Sequence, residues 1–136
     1  MHLAYLTIDE VNQALAFDFS SELDVNLTVL APKEGPPDRA YDAVLCDWDS
    51  LPTEVRTVFF AMSACDSLPR AVAVHGYGLT TKESIELLNL GVLVYRRLTP
   101  QVIKVLNRIF DASVRQAERQ HRIRKGPDYG LASAAS

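Results

Sequence analysis

Little in this 136-residue chain is scarce by accident, and each scarcity closes off a class of protein. Two cysteines, Cys46 and Cys65, supply neither a disulfide framework nor metal-finger spacing, so reduced thiols in the cytosol are expected. No apolar run approaches the ~20 residues that cross a bilayer. Asp9 and Glu10 arrive too early for a secretory leader, which points to a cytoplasmic protein. The glycines of Gly76-Tyr77-Gly78 lack the dinucleotide fingerprint, and no helix pair for reading DNA is evident, so nucleic acid is not an expected direct partner.

What is present suits one globular domain with an ordinary core: 48 % of residues are apolar. The net charge of −3 hides an asymmetry, since residues 1–68 carry −9 and residues 69–136 carry +6. Much of the positive excess falls between Arg115 and Lys125, which reads as a solvated helix end or a partner surface.

Short apolar runs alternate with helix-length patterns. Leu3–Ile8, Asn26–Ala31, Ala43–Cys46, Ala71–Val74 and Val92–Tyr95 read as five strands, several apolar throughout and therefore buried on both faces. Between them, Val11, Leu15, Phe19 and Leu23 form one helical stripe, and Val55, Val58, Phe59 and Met62 another. A third helix, capped by Thr80 or Thr81, is expected to carry Ile85, Leu88 and Leu90 and to end at Gly91. Thr99-Pro100 opens the last, with Val102, Val105, Leu106, Ile109 and Phe110 inward. Such alternation predicts a doubly wound parallel sheet.

One connection breaks the rhythm. The ten or so residues from Pro32 to Tyr41 include Gly35-Pro36-Pro37, which opposes a helix. A link that moves ~10 Å sideways and returns along a ~17 Å strand is within reach of ten extended residues (~33 Å) but not of ten helical ones (~15 Å). The second helix is therefore expected to be short or absent. Residues 1–113 should form the domain body, 114–125 a polar, basic helical extension, and 126–136 a disordered Ala/Ser-rich tail.

The chemistry concentrates at strand ends. Ala43–Cys46 stops in Asp47-Trp48-Asp49, and the first strand stops in Asp9-Glu10. Carboxylates at the carboxyl ends of buried parallel strands lie where open α/β sheets put their sites.

These residues resemble the receiver domain of bacterial two-component response regulators, over roughly residues 3–112. Asp47-Trp48-Asp49 resembles the phosphoacceptor segment, and Leu90-Gly91, Tyr95 and Leu106-Asn107-Arg108-Ile109-Phe110 match the last two elements. The resemblance implies a flavodoxin-like sheet in the order 2-1-3-4-5. It implies Asp47 as phosphoacceptor, and Mg²⁺ held by Asp9, Asp47 and the carbonyl of Asp49, because an aspartate accepts a phosphoryl group only once its negative charge is neutralised. A hydroxyl on the fourth strand and a lysine on the fifth would bind the phosphoryl oxygens.

This chain departs from that pattern three times. The acid pair aligns with Ile8-Asp9, or with Asp9-Glu10 in a shifted register. His75 stands where the family has threonine or serine. Leu98 falls at the lysine position, or Arg97 after a one-residue gap. A degenerate receiver is therefore expected, binding Mg²⁺ weakly and acting by contact with a histidine kinase or an output protein rather than as an enzyme. A weak homodimer through the last strand and helices is a further expectation. Two alternatives stay open: a conventional receiver phosphorylated on Asp47, and a small metal-dependent phosphohydrolase using Asp9, Asp47 and His75.

Overall fold

In the computed structural model, residues 1–125 are described, with side chains to residue 122. The tail expected over 126–136 lies outside the described residues. Five strands, β1 (His2–Leu6), β2 (Asn26–Leu30), β3 (Ala43–Asp47), β4 (Ala71–His75) and β5 (Leu93–Tyr95), form one sheet in the order β2-β1-β3-β4-β5. Every pairing is parallel. The four α-helices are α1 (Glu10–Glu22), α2 (Thr53–Ala64), α3 (Thr81–Asn89) and α4 (Pro100–Lys125). The link after β2 holds only the single 3₁₀ turn Pro32–Glu34, as its proline content and reach require.

Strand side chains alternate between two layers. Ala4, Leu6, Val44, Cys46, Val72 and Val74 pack with Val55 and Phe59 of α2 and Leu87 of α3. Leu3, Tyr5, Ala43, Leu45, Ala71 and Ala73 pack with Ala16 of α1 and Val102, Ile103 and Leu106 of α4. β3 and β4 are buried along their whole length, which explains their unbroken apolar reading.

Two helical faces differ from expectation. In α1, Ala16 and Ser20 are buried while Val11 and Leu15 are exposed. In α3, Leu87 is wholly buried, whereas Ile85, Leu88 and Leu90 are exposed. Both segments carry apolar residues around much of their circumference, so periodicity alone could not choose the inward side; the sheet did.

Helix ends show a common device. Gly91 (φ +84°), Asp24 (φ 55°) and Asp66 (φ 55°) each take the left-handed conformation just after a helix. The next amide in each case, Val92, Val25 or Ser67, bonds back to the carbonyl of Leu87, Ser20 or Met62. Only the glycine advertised this in the sequence; aspartate tolerates the same conformation through its short polar side chain.

Candidate functional site at the carboxyl edge of the sheet

Strand register brings residues from the ends of four strands into a row. Asp47 ends β3 and pairs with His75 of β4, which pairs with Tyr95 of β5. On the other side Leu6 pairs with Cys46, so Thr7, the residue that follows β1, comes up against Asp47. Alternation points all four toward the α1/α4 layer.

Asp47 is 3 % exposed and its Oδ2 accepts from three donors: Thr7 Oγ1 at 2.7 Å, Ser50 Oγ at 2.9 Å and Asn12 Nδ2 at 3.3 Å. Ser50 Oγ also accepts from the Ile8 amide at 3.2 Å, and Thr7 Oγ1 from the Asp9 amide at 3.0 Å. The carboxylate is thus the hub that ties the β1–α1 turn to the turn after β3. Its charge reaches its neighbours. Burial foremost, then Asp47, pushes the Tyr5 hydroxyl and the Cys46 thiol far up, so both stay protonated.

His75 is equally buried, and its Nε2 lies 2.7 Å from the Tyr5 hydroxyl. Burial holds the imidazole below its ordinary pKa, against the opposite pull of Asp47, Asp49 and Asp9. A neutral ring facing a protonated tyrosine follows. A cleft of about 430 Å³ opens over the row, lined among others by Asn12, Phe19, Asp47, His75, Arg97 and Leu98.

The other acidic candidates stand around this row, and Asp49 also lines the cleft. Asp9 is exposed and caps α1, its Oδ1 accepting from the Asn12 amide at 3.0 Å. Glu10 is the first residue of α1 and is exposed. Neither expected register therefore brings an acid to Asp47: Thr7 holds that place. Asp49 turns to the loop after β4, where both its oxygens accept backbone amides at 2.9 Å, from Tyr77 and Gly78. This explains the paired glycines. A Cβ on Gly78 would lie 2.6 Å from Asp49 Oδ1, and one on Gly76 would lie 3.0 Å from the Trp48 Cβ.

After the fifth strand, both candidates for the lysine position lie at the cleft. Tyr95 stands in register with His75; Leu98 is buried beside Val102 in the core, and Arg97 is exposed at the cleft rim. Leucine carries no charge, and the planar guanidinium of arginine is not a simple substitute for a lysine.

These side chains do not fit the magnesium site that the resemblance implies. Asp9 directs its Oδ1 to the Asn12 amide, and Asp47 faces hydroxyl and amide donors rather than a second acid. No group of three or more His, Cys, Asp or Glu among the described residues is arranged to hold a metal ion.

Next to the acceptor segment, Trp48 is fully buried and makes edge contacts with Phe59 and Phe60. Its indole Nε1 donates to Glu83 Oε2 at 3.2 Å, and Arg56 lies over its ring at 5.2 Å while donating to its carbonyl. Glu83 completes a capping box with Thr80 at the start of α3. Burial favours the neutral acid there, but bonds from the Thr80 amide and the Trp48 indole outweigh it and hold the Glu83 carboxyl below its usual range. Residues 48 and 49 thus suspend the whole segment from Tyr77 to Glu83.

Sequence reasoning named Asp47, Asp49, His75 and Arg97 of this site and did not name Tyr5, Thr7, Asn12, Ser50 or Tyr95 as pocket residues. Thr7 was the readable one, a polar residue directly after the apolar run Leu3–Leu6.

Comparison with known proteins agrees with this architecture. No family model and no curated protein matches the chain. Among solved structures, the ChxR receiver domain from Chlamydia trachomatis (I41 crystal form) is 19 % identical, with a TM-score of 0.51, over 80 % of this chain and 96 % of that one. The fold is that of a receiver domain. A second structure of the same Chlamydia trachomatis domain is 20 % identical over the same shares, at a TM-score of 0.45. In this receiver fold the row Thr7, Asp47, His75 and Tyr95 occupies the carboxyl edge of the sheet. Among the described residues no helix is long and apolar enough to cross a membrane.

Proposed function

We propose that this chain is a cytoplasmic signal-transduction module whose output is protein–protein contact, with an acceptor pocket that has lost efficient phosphoryl transfer. It acts with a histidine kinase or an output protein as partner and is not itself an enzyme. The observation that carries this reading is the row across the sheet. Oδ2 of Asp47 is saturated by three donors, Thr7 stands beside it where an acid would help to neutralise an incoming phosphoryl group with metal, and of the two candidates for the lysine position Leu98 is buried in the core and Arg97 is exposed at the cleft rim. His75 could donate to an anion, but its Nε2 is engaged by Tyr5. Mg²⁺ then binds weakly, because a hard cation retains its water unless several oxygens replace it. Two copies pair weakly through α4, whose last turns leave the domain body.

The decisive experiment is incubation with acetyl phosphate and Mg²⁺, followed by intact-mass measurement and a parallel assay of phosphate-ester turnover. Little modification and no turnover are expected. Near-complete modification abolished by Asp47→Ala would establish a conventional receiver instead. Ester turnover lost in Asp47→Ala and His75→Ala would establish a phosphohydrolase.

A further inference from the structure

The α4 extension has a counterpart on the same molecule that it does not touch. Every residue from Val114 to Arg122 is exposed. Arg115, Arg119 and Arg122, spaced by four and three, line one side of it. α1 presents the opposite charge. Glu10, Asp18 and Glu22 recur at multiples of four and are exposed, beside Val11, Leu15 and Phe17, whose exposures of 69, 37 and 50 % are high for apolar side chains. This acidic, apolar helix face has no partner among the described residues.

The dimensions agree. α1 and α4 lie in one layer, and both run back from the carboxyl edge of a parallel sheet, so they point the same way. α4 therefore leaves the body where α1 ends, at Glu22. The twelve residues 114–125 extend ~18 Å, and the thirteen residues of α1 span ~20 Å. A two-fold axis at that end would lay each extension antiparallel along α1 of the other copy, a closed arrangement in which both contacts form at once.

We propose that the extension of α4 docks on the Glu10/Asp18/Glu22 face of α1 in a second copy of this chain, and reciprocally. This rests on the weak pairing proposed above and names its receptor surface. The contact places Arg115, Arg119 and Arg122 opposite the acids. Because charge supplies much of the attraction between exposed groups, the pairing weakens with salt.

Sedimentation equilibrium of the full chain at low and high salt tests it, together with two charge-reversed variants. One carries Arg115→Glu, Arg119→Glu and Arg122→Glu; the other carries Glu10→Lys, Asp18→Lys and Glu22→Lys. Each alone should dimerise about tenfold more weakly than the wild type or not at all, whereas an equimolar mixture of the two should form a heterodimer, since every reversed charge then meets its opposite. Circular dichroism confirms that both variants fold. A wild type that stays monomeric at high concentration and low salt removes the pairing itself. A wild type that dimerises while the α1 variant dimerises equally well leaves the pairing standing and overturns α1 as its site. Failure of the mixture to associate overturns it as well.

Discussion

Tyr5 and His75 share a hydrogen bond of 2.7 Å that spans the intervening strand β3, joining β1 to β4 beside Asp47. The imidazole is kept neutral by burial, although Asp47 and Asp49 on the β3 side and Asp9 from the β1–α1 turn all favour its protonation. A histidine with a depressed folded pKa is protonated more readily in the unfolded chain. Its contribution to stability is therefore complete above the ordinary value of about 6.5 and is lost as pH falls below that value toward the folded one. His75→Gln should remove this part of the slope. Urea unfolding from pH 7 downward, compared between variant and wild type, checks it; identical slopes would show that His75 does not titrate on unfolding.

Thr7→Asp should convert a donor into a second carboxylate against Asp47. Without metal, repulsion and the lost hydrogen bond should cost about 2 kcal/mol. Added Mg²⁺ should restore the loss, because two adjacent carboxylates meet its demand for hard oxygen ligands. Thermal unfolding with and without Mg²⁺ gives the answer. A variant that shows no greater response to Mg²⁺ than the wild type would contradict the placement of Thr7.

Asp49→Ala should release the loop after β4 while barely altering global stability. Its carboxylate is exposed, so the two amide bonds contribute only about 1 kcal/mol together. The readout is local: hydrogen exchange at the Tyr77 and Gly78 amides should accelerate. Unchanged exchange would mean that the loop is held by other contacts.

Leu87→Ala and Ile85→Ala separate the face of α3 that the structure buries from the one that periodicity suggested. Leu87 is wholly enclosed and its truncation should cost about 2–5 kcal/mol. Ile85 is 54 % exposed, and the corresponding change should stay within about 0.5 kcal/mol. Chemical denaturation of the two variants measures both; similar losses would contradict the placement of α3.

Removal of residues 114–136 should leave the thermal midpoint within about 2 °C of the wild type, since residues 114–122 are exposed and add nothing to either core layer. Self-association should fall in the same variant. A drop of ten degrees or more would place this segment in the fold.

The chain announces its strands because β3 and β4 are enclosed on both faces, which demands unbroken apolar runs such as Ala43–Cys46 and Ala71–Val74. The short second connection was equally readable, since Gly35-Pro36-Pro37 and the reach of ten residues leave no room for a helix there. Asp47 and His75 could be named because a polar residue ending such a run must stand at the sheet edge. Thr99-Pro100 marked the start of α4 because proline suits the first helical position.

Other features depended on distances between strands that local pattern does not encode. Sequence can show that Asp9 and Glu10 follow a strand, but a shift of one or two residues in where β1 ends decides whether Asp9 or Thr7 meets Asp47. The same holds for Tyr95 at the end of β5 and for Arg97 and Leu98 after it. Side chains alternate from face to face, so one residue of register separates a cleft side chain from a core one. α3 could turn inward at Leu87 or at Ile85 and Leu88 with nearly equal periodicity, and only the position of β5 and the Trp48–Glu83 bond selected Leu87. Local composition determines which segments become strands and helices; the register of the assembled sheet decides which of their side chains share a pocket.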